Sequence, residues 1–204
     1  MPPSENNLLS VRRWVLFFDV IKIVFVAVLI VALVRWFVAE PFIVSGDSMV
    51  PTFASNDYLV IDELTYAFHP PLRGDVIVFR YPLDPSIYFI KRLIGVPGDT
   101  VVVSNGSVFI QSGKLKQRVL DEPYIQTGKQ KIETGTTTLG QDEYFVLGDN
   151  RNSSFDSRVW GPVPRRYIVG RAWVRLYPFT QTALYTRVPT GTSSATADIL
   201  STGR

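Results

Sequence analysis

Cysteine is absent from all 204 residues, which removes disulfides, thiolate nucleophiles and cysteine-ligated metals together. The same absence is silent about redox compartment, because a cysteine-free chain can occupy either. Histidine is nearly as scarce: His69 stands alone, in Phe68-His69-Pro70-Pro71. One imidazole cannot build a multi-histidine metal site, and a Ser-His-Asp triad would rest on this single ring. The proline-bounded context reads instead as a loop whose imidazole is solvated or packed. No metal or other cofactor is implied. Charge is also thin, with 19% charged residues and a net charge of +3. There is no basic stripe with interleaved aromatics, so a nucleic-acid partner is not expected. With 46% hydrophobic residues the chain is no disordered polymer, and its length suits one domain plus an accessory segment. Any hydrolytic chemistry needs a base other than histidine.

The apolar residues are concentrated first between Trp14 and Val38. The unbroken run Ile23–Val34 is too short to span a bilayer, but about 24 residues with their flanks give roughly 36 Å of helix. Lys22 and Arg35 lie near the ends, where long basic side chains snorkel, and Trp14, Trp36 and Phe37 suit an interfacial belt. Phe37-Val38-Ala39-Glu40 is a poor cleavage site, so residues 14–38 read as an uncleaved transmembrane anchor in a lipid bilayer. Arg12 and Arg13 precede it. By the positive-inside rule the tail 1–13 is cytoplasmic and everything after Glu40 lies on the outer face of the plasma membrane, an asymmetry that Arg35 weakens.

Beyond Pro41 the texture changes to short β-rich runs punctuated by glycine and proline. Tyr58–Asp62, Val76–Tyr81, Tyr88–Leu93, Tyr144–Leu147 and Ala172–Leu176 read as strands. Asn105-Gly106, between Val101–Ser104 and Ser107–Ile110, signals a type I′ hairpin turn. No strong amphipathic helix appears, so the fold class is mostly β, closed or sandwiched. Gln111–Leu139 is a more polar excursion, and the last 20 or so residues, rich in Thr, Ser, Gly and Ala, predict disorder over 181–204.

Three clusters carry possible chemistry. In Ser45-Gly46-Asp47-Ser48-Met49-Val50-Pro51-Thr52-Phe53, Gly46 permits an unusual turn and Pro51 stops regular structure, so Ser48 projects from a stiff bend. A serine there is either a nucleophile or an ordinary turn former. In Phe89-Ile90-Lys91-Arg92-Leu93, strand alternation puts Lys91 on one face with Phe89 and Leu93, where an amine could be desolvated. A lysine of pKa about 10.4 is only about 0.1% neutral near pH 7.5, and lowering that pKa by roughly 3 costs about 4 kcal/mol. Equally, Lys91 fits an exposed edge-strand residue that guards against aggregation. In the third cluster, Tyr144 to Gly161, a strand enters a loop in which Asp149, Asp156, Arg151 and Arg158 can pair to brace one conformation. It also fits a plain polar surface loop.

Together these clusters resemble the type I signal peptidases, a Ser/Lys protease family. The resemblance lies in Gly46-Asp47-Ser48-Met49-Val50-Pro51-Thr52, in Lys91-Arg92-Leu93-Ile94-Gly95-Val96-Pro97-Gly98-Asp99, and in Gly148-Asp149-Asn150-Arg151 through Ser154, Asp156, Ser157 and Arg158. They stand in order after an anchor ending Ala39-Glu40-Pro41-Phe42, and the resemblance covers roughly residues 14–178. It implies Ser48 as nucleophile, Lys91 as general base and Ser154 as the hydroxyl that orients the amine. Asp156 and Arg158 become a structural ion pair, with Asp149 in support. Phe42, Val44, Phe53 and Ile90 match the family's substrate-pocket positions. Some members carry serine two residues before the nucleophile as an oxyanion donor. Here that position is Gly46, so the second donor is a Gly46-region amide, a water or Ser45.

The organisation implied is a catalytic domain over 40–180 with an inserted β region at 101–139. Its partners would be exported preproteins, cut after small-x-small sites at the ends of their signal peptides. Two rival readings stay open. One is a self-cleaving repressor-type Ser/Lys peptidase, disfavoured by the anchor and the lack of a DNA-binding domain. The other is a non-catalytic membrane-tethered β domain that binds a partner. Arg73-Gly74-Asp75 reads as a turn before a strand rather than an adhesion motif, and the sequons at Asn105 and Asn152 carry little weight.

Overall fold

Among the described residues, helix α1 (16–30) is the one regular element before residue 40, and its side chains are exposed on every face. The computed structural model describes residues 14, 16–30, 40–125, 134–178, 183–185 and 192–193. Of the expected anchor, positions 15 and 31–38 lie outside these, as does the tail 1–13. Among the described residues no helix is long and apolar enough to cross a membrane. Residues 1–39 and 40–204 form separate compact units.

The second unit is mostly β. Its strands are β1 (Glu40–Ile43), β2 (Tyr58–Asp62), β3 (Val76–Tyr81), β4 (Asp84–Gly95), β5 (Asp99–Ser104), β6 (Ser107–Ser112) and β7 (Arg118–Leu120). They continue with β8 (Gly135–Thr138), β9 (Glu143–Leu147), β10 (Val163–Pro164), β11 (Ile168–Tyr177), β12 (Ala183–Leu184) and β13 (Thr192–Ser193). Among the described residues two one-turn α-helices interrupt them, α2 (Thr65–Phe68) and α3 (Ser157–Trp160). The first sheet runs β1-β2-β11-β3-β4-β9-β10 with β12 added to β11, and the second runs β13-β7-β6-β5-β8.

Alternation explains how the sheets bury themselves. β3 is covered on both faces: Val76 and Val78 join one cluster with Val44, Met49, Phe53 and Ile61, while Ile77 and Phe79 join another with Leu93, Val146 and Val163. β5 alternates buried and half-buried positions, and Val101 and Val103 pack with Val108, Ile110 and Leu120. Ile94, Phe145 and Leu147 belong to that same cluster, so the second sheet is seated on the β4–β9 end of the first. The β5–β6 turn has positive φ at Asn105 (48°) and Gly106 (79°), as a type I′ turn requires.

Three features depart from the sequence reading. β4 begins at Asp84 and lies between β3 and β9, so Lys91, paired with Ile77, is interior to the sheet and not on an edge. β11 extends back to Ile168. The terminal segment expected to be disordered contributes β12 on β11 and β13 on β7, because its short apolar and β-branched stretches find open strand edges.

Gly95 lies where the sheets pack tightly. A Cβ there would lie 2.6 Å from Val101 Cγ2, 2.7 Å from Leu139 Cδ1 and 3.0 Å from Phe145 Cβ. Gly95→Ala is therefore expected to destabilise the unit by about 1–3 kcal/mol, read as a lowered thermal midpoint.

Candidate active site

Ser48 stands on a turn made possible by Gly46, whose φ of 89° lies where an L side chain is strained. The bend closes with Val50 N–H on Asp47 O (3.2 Å) and Phe53 N–H on Met49 O (2.9 Å), and Met49 and Phe53 sink into the core beneath. Asn150 grips the turn from outside. Its N–H donates to Ser48 O at 3.0 Å and its side-chain amide to Asp47 O at 3.1 Å. The Ser48 N–H donates to no other described residue.

Lys91 meets this turn from β4. Its Nζ lies 2.8 Å from Ser48 Oγ and 3.0 Å from Ile90 O, with the Phe89 ring centroid at 5.3 Å. The residue is only 5% exposed. Burial drives the amine's pKa down from 10.5 to about 8, against an upward pull from Asp156 and then Asp149. Neither carboxylate touches the amine, because each is held elsewhere. Asp149 accepts from Arg92 Nε (2.8 Å) and Nη2 (2.7 Å) and from Thr52 Oγ1 (2.5 Å). Asp156 accepts from Arg158 Nε (2.7 Å) and Nη2 (2.9 Å) and from Gly148 N–H (3.1 Å), and it also caps α3. Pairing each acid with a guanidinium limits how much positive charge it can stabilise on Lys91. A neutral amine this close to a hydroxyl can accept its proton.

Gly148 is where the third cluster meets the first. A Cβ there would lie 2.3 Å from Ser154 Oγ and 2.5 Å from Ser48 O, so only glycine allows this approach. Ser154 Oγ is buried and hydrogen-bonds to none of the described residues. The expected bond from Ser154 to Lys91 is thus not made in this conformation; the amine's bonds go to Ser48 and Ile90.

A cleft of about 110 Å³ opens beside the pair, lined by Phe42, Val44 and Ile90 with Ser45, Tyr88 and Ser48. Phe53 does not. It is 0% exposed, with the Tyr185 ring at 4.3 Å and Arg175 Cζ at 5.1 Å, because the 49–53 turn folds it under the nucleophile loop into the core. The Gly46 N–H is also committed, donating to Ser55 Oγ at 3.3 Å.

The bracing pairs differ in part from the sequence reading. Asp156–Arg158 forms as expected, but Asp149 pairs with Arg92, and Arg151 pairs with Glu122. Arg92, Asn150, Glu122 and Tyr124 were not among the expected site residues. Arg92 is only 2% exposed, and alternation had already set it opposite Lys91. A buried arginine needs a carboxylate, but its partner lies 57 residues away and no local pattern marks it.

Residues 17–177 match the sequence model of the family described as signal peptidase, peptidase S26. A signal peptidase I of Leptolyngbya laminosa is 42% identical over 167 residues, covering 78% of this chain and 78% of its own length. A probable signal peptidase I-2 of Synechocystis sp. is 42% identical over 190 residues, covering 90% of this chain and 80% of that one. A signal peptidase I of Bacillus caldolyticus is 38% identical over 172 residues, covering 78% and 91%. The matched span contains Ser48, Lys91 and the whole loop from Gly148 to Arg158, and the chain belongs to the S26 family of signal peptidases.

Proposed function

We propose that this chain is a membrane-anchored endopeptidase that removes signal peptides from exported preproteins, with Ser48 as nucleophile and Lys91 as general base. The observation that carries the reading is the 2.8 Å approach of Lys91 Nζ to Ser48 Oγ in a setting that favours the neutral amine. The amine takes the hydroxyl proton as Oγ attacks the scissile carbonyl. It then returns that proton to the leaving amine, and water resolves the acyl-enzyme.

The Ser48 N–H, free of other described partners, donates to the developing oxyanion. With the Gly46 amide engaged by Ser55, the Ser45 hydroxyl at the cleft is the second donor. Ser154 keeps its role as the orienting hydroxyl, supported by a buried Oγ that has no partner among the described residues. Asp149, Asp156 and Arg158 hold the loop and moderate the charge around the amine.

The substrate binds extended beside β1 and β4, adding a strand, and the small cleft walled by Phe42, Val44 and Ile90 selects small residues at the first and third positions before the cut. The anchor over 14–38 keeps the catalytic domain 40–180 on the outer face of the plasma membrane, with 1–13 cytoplasmic, 101–139 as its inserted region and 181–204 as its tail. The exposed apolar faces of α1 fit that assignment.

Incubation of the detergent-solubilised chain with a preprotein bearing an Ala-x-Ala site tests the reading. Ser48→Ala and Lys91→Arg are each expected to lower cleavage by about 10³-fold or more, the second because guanidinium stays protonated. Robust turnover by Lys91→Arg removes the lysine from its role. The acidic limb of kcat/KM is expected near pH 8, where the amine titrates.

The same amine sets a stability cost with a definite sign. The folded chain releases its Lys91 proton near pH 8 and the unfolded chain near 10.5, so the unfolded state binds more protons between those values. Stability therefore falls as pH drops from 10.5 to 8, and the loss is complete below 8. Lys91→Met is expected to raise stability by about 1–3 kcal/mol at pH 7, the gain vanishing towards pH 10.5, as read from unfolding midpoints across pH.

A further inference from the structure

The segment that leaves β7 in the second sheet reaches the loop that holds Ser48. Ile125 N–H closes a turn on Glu122 O at 3.1 Å, presenting Glu122 and Tyr124 together. The Tyr124 ring lies 3.9 Å from Arg92 Cζ, and its hydroxyl donates to Glu122 Oε1 at 2.8 Å. That oxygen also accepts from Arg151 Nη2, while Oε2 accepts from Arg151 Nη1 at 3.2 Å. Burial, and the Glu122 carboxylate after it, raise the Tyr124 pKa, so the phenol stays a donor at any working pH.

Both arginines brace the 148–151 loop, each at a different residue. Arg92 holds Asp149 by two bonds, and Arg151, its side chain fully buried, donates from Nε to Gly148 O at 3.0 Å. The loop they fix in turn holds the nucleophile: Asn150 bonds the Ser48 and Asp47 carbonyls, and Asp149 bonds Thr52. A buried guanidinium that loses one acceptor must find another or admit water, and either change shifts the loop.

We infer that Glu122 and Tyr124 are positioning residues, through which the second sheet sets the placement of Ser48 relative to Lys91. The inference rests on, and deepens, the reading of Ser48 and Lys91 as the reacting pair. A simple folding staple would loosen the whole unit when cut; a positioning contact loosens the 148–151 loop and lowers turnover while the sheets stay intact.

The test uses the full chain in detergent with Tyr124→Leu, Tyr124→Phe and Glu122→Gln. Amide hydrogen exchange is followed at Asn150 and in β3 and β9, beside kcat and KM on a preprotein with an Ala-x-Ala site. In Tyr124→Leu and Glu122→Gln, exchange at Asn150 is expected to quicken about tenfold with β3 and β9 unchanged. Their kcat is expected to fall about 10–100-fold with KM held within about twofold, as for a small misplacement of reacting groups. Tyr124→Phe, which keeps the ring on Arg92, should stay within about threefold of the parent kcat. Unchanged exchange at Asn150, exchange that rises equally in all three places, or a Phe variant as impaired as the Leu variant overturns the inference. Should the parent chain fail to cleave, the Ser48–Lys91 reading falls, while the exchange measurement still decides whether Glu122 and Tyr124 position the loop.

Discussion

A lysine side chain that must shed its proton is the constraint around which this structure is arranged. Lys91 is buried, its Nζ lies 2.8 Å from Ser48 Oγ, and desolvation alone pushes its pKa towards neutrality. The difficulty is that two carboxylates, Asp149 and Asp156, lie close enough to favour the ammonium form. Both are answered by bidentate guanidinium pairs, Arg92 on one and Arg158 on the other. The acids therefore also hold the loop's Gly148 N–H and the nucleophile turn's Thr52 Oγ1, without fully undoing the desolvation of the amine.

β4 carries most of this arrangement because successive residues serve different neighbours. Lys91 faces the nucleophile, Arg92 binds Asp149, Leu93 belongs to one core cluster and Ile94 to another. Its register is pinned on both sides, by Ile77 opposite Lys91 on β3 and Leu147 opposite Arg92 on β9. A slip of one residue would bring a permanently charged guanidinium to Ser48 in one direction, or an apolar side chain there and an amine to Asp149 in the other. Close packing of buried side chains on both faces of β3 makes that slip expensive.

The sequence made legible whatever local chemistry dictates. Strand alternation and punctuation located β2, β3, β9 and the Asn105-Gly106 hairpin, and the resemblance singled out Ser48 and Lys91, which the fold brings within 2.8 Å although they lie 43 residues apart. What stayed hidden depends on partners distant along the chain. Arg92 with Asp149 and Arg151 with Glu122 are buried long-range pairs, invisible to periodicity. Phe53, a pocket position only by the resemblance, lies in the core instead, where Tyr185 and Arg175 pack against it from far along the chain. The terminal strands β12 and β13 were missed because a Thr- and Ser-rich segment acquires order only from the edges it pairs with.

Buried ion pairs of this kind are weak contributors to net stability, since desolvating both charges offsets most of their attraction. Three of them nevertheless crowd around a loop of four residues, and an amine held against its ordinary protonation state adds a further cost. An apolar core of the same volume would be at least as stable. What such a core could not supply is direction. The Ser48 carbonyl is fixed by Asn150, Asn150 by the loop, and the loop by arginines whose hydrogen bonds admit few geometries. Stability given up across this network is returned as a hydroxyl and an amine held in one relative placement, which is what proton transfer between them needs.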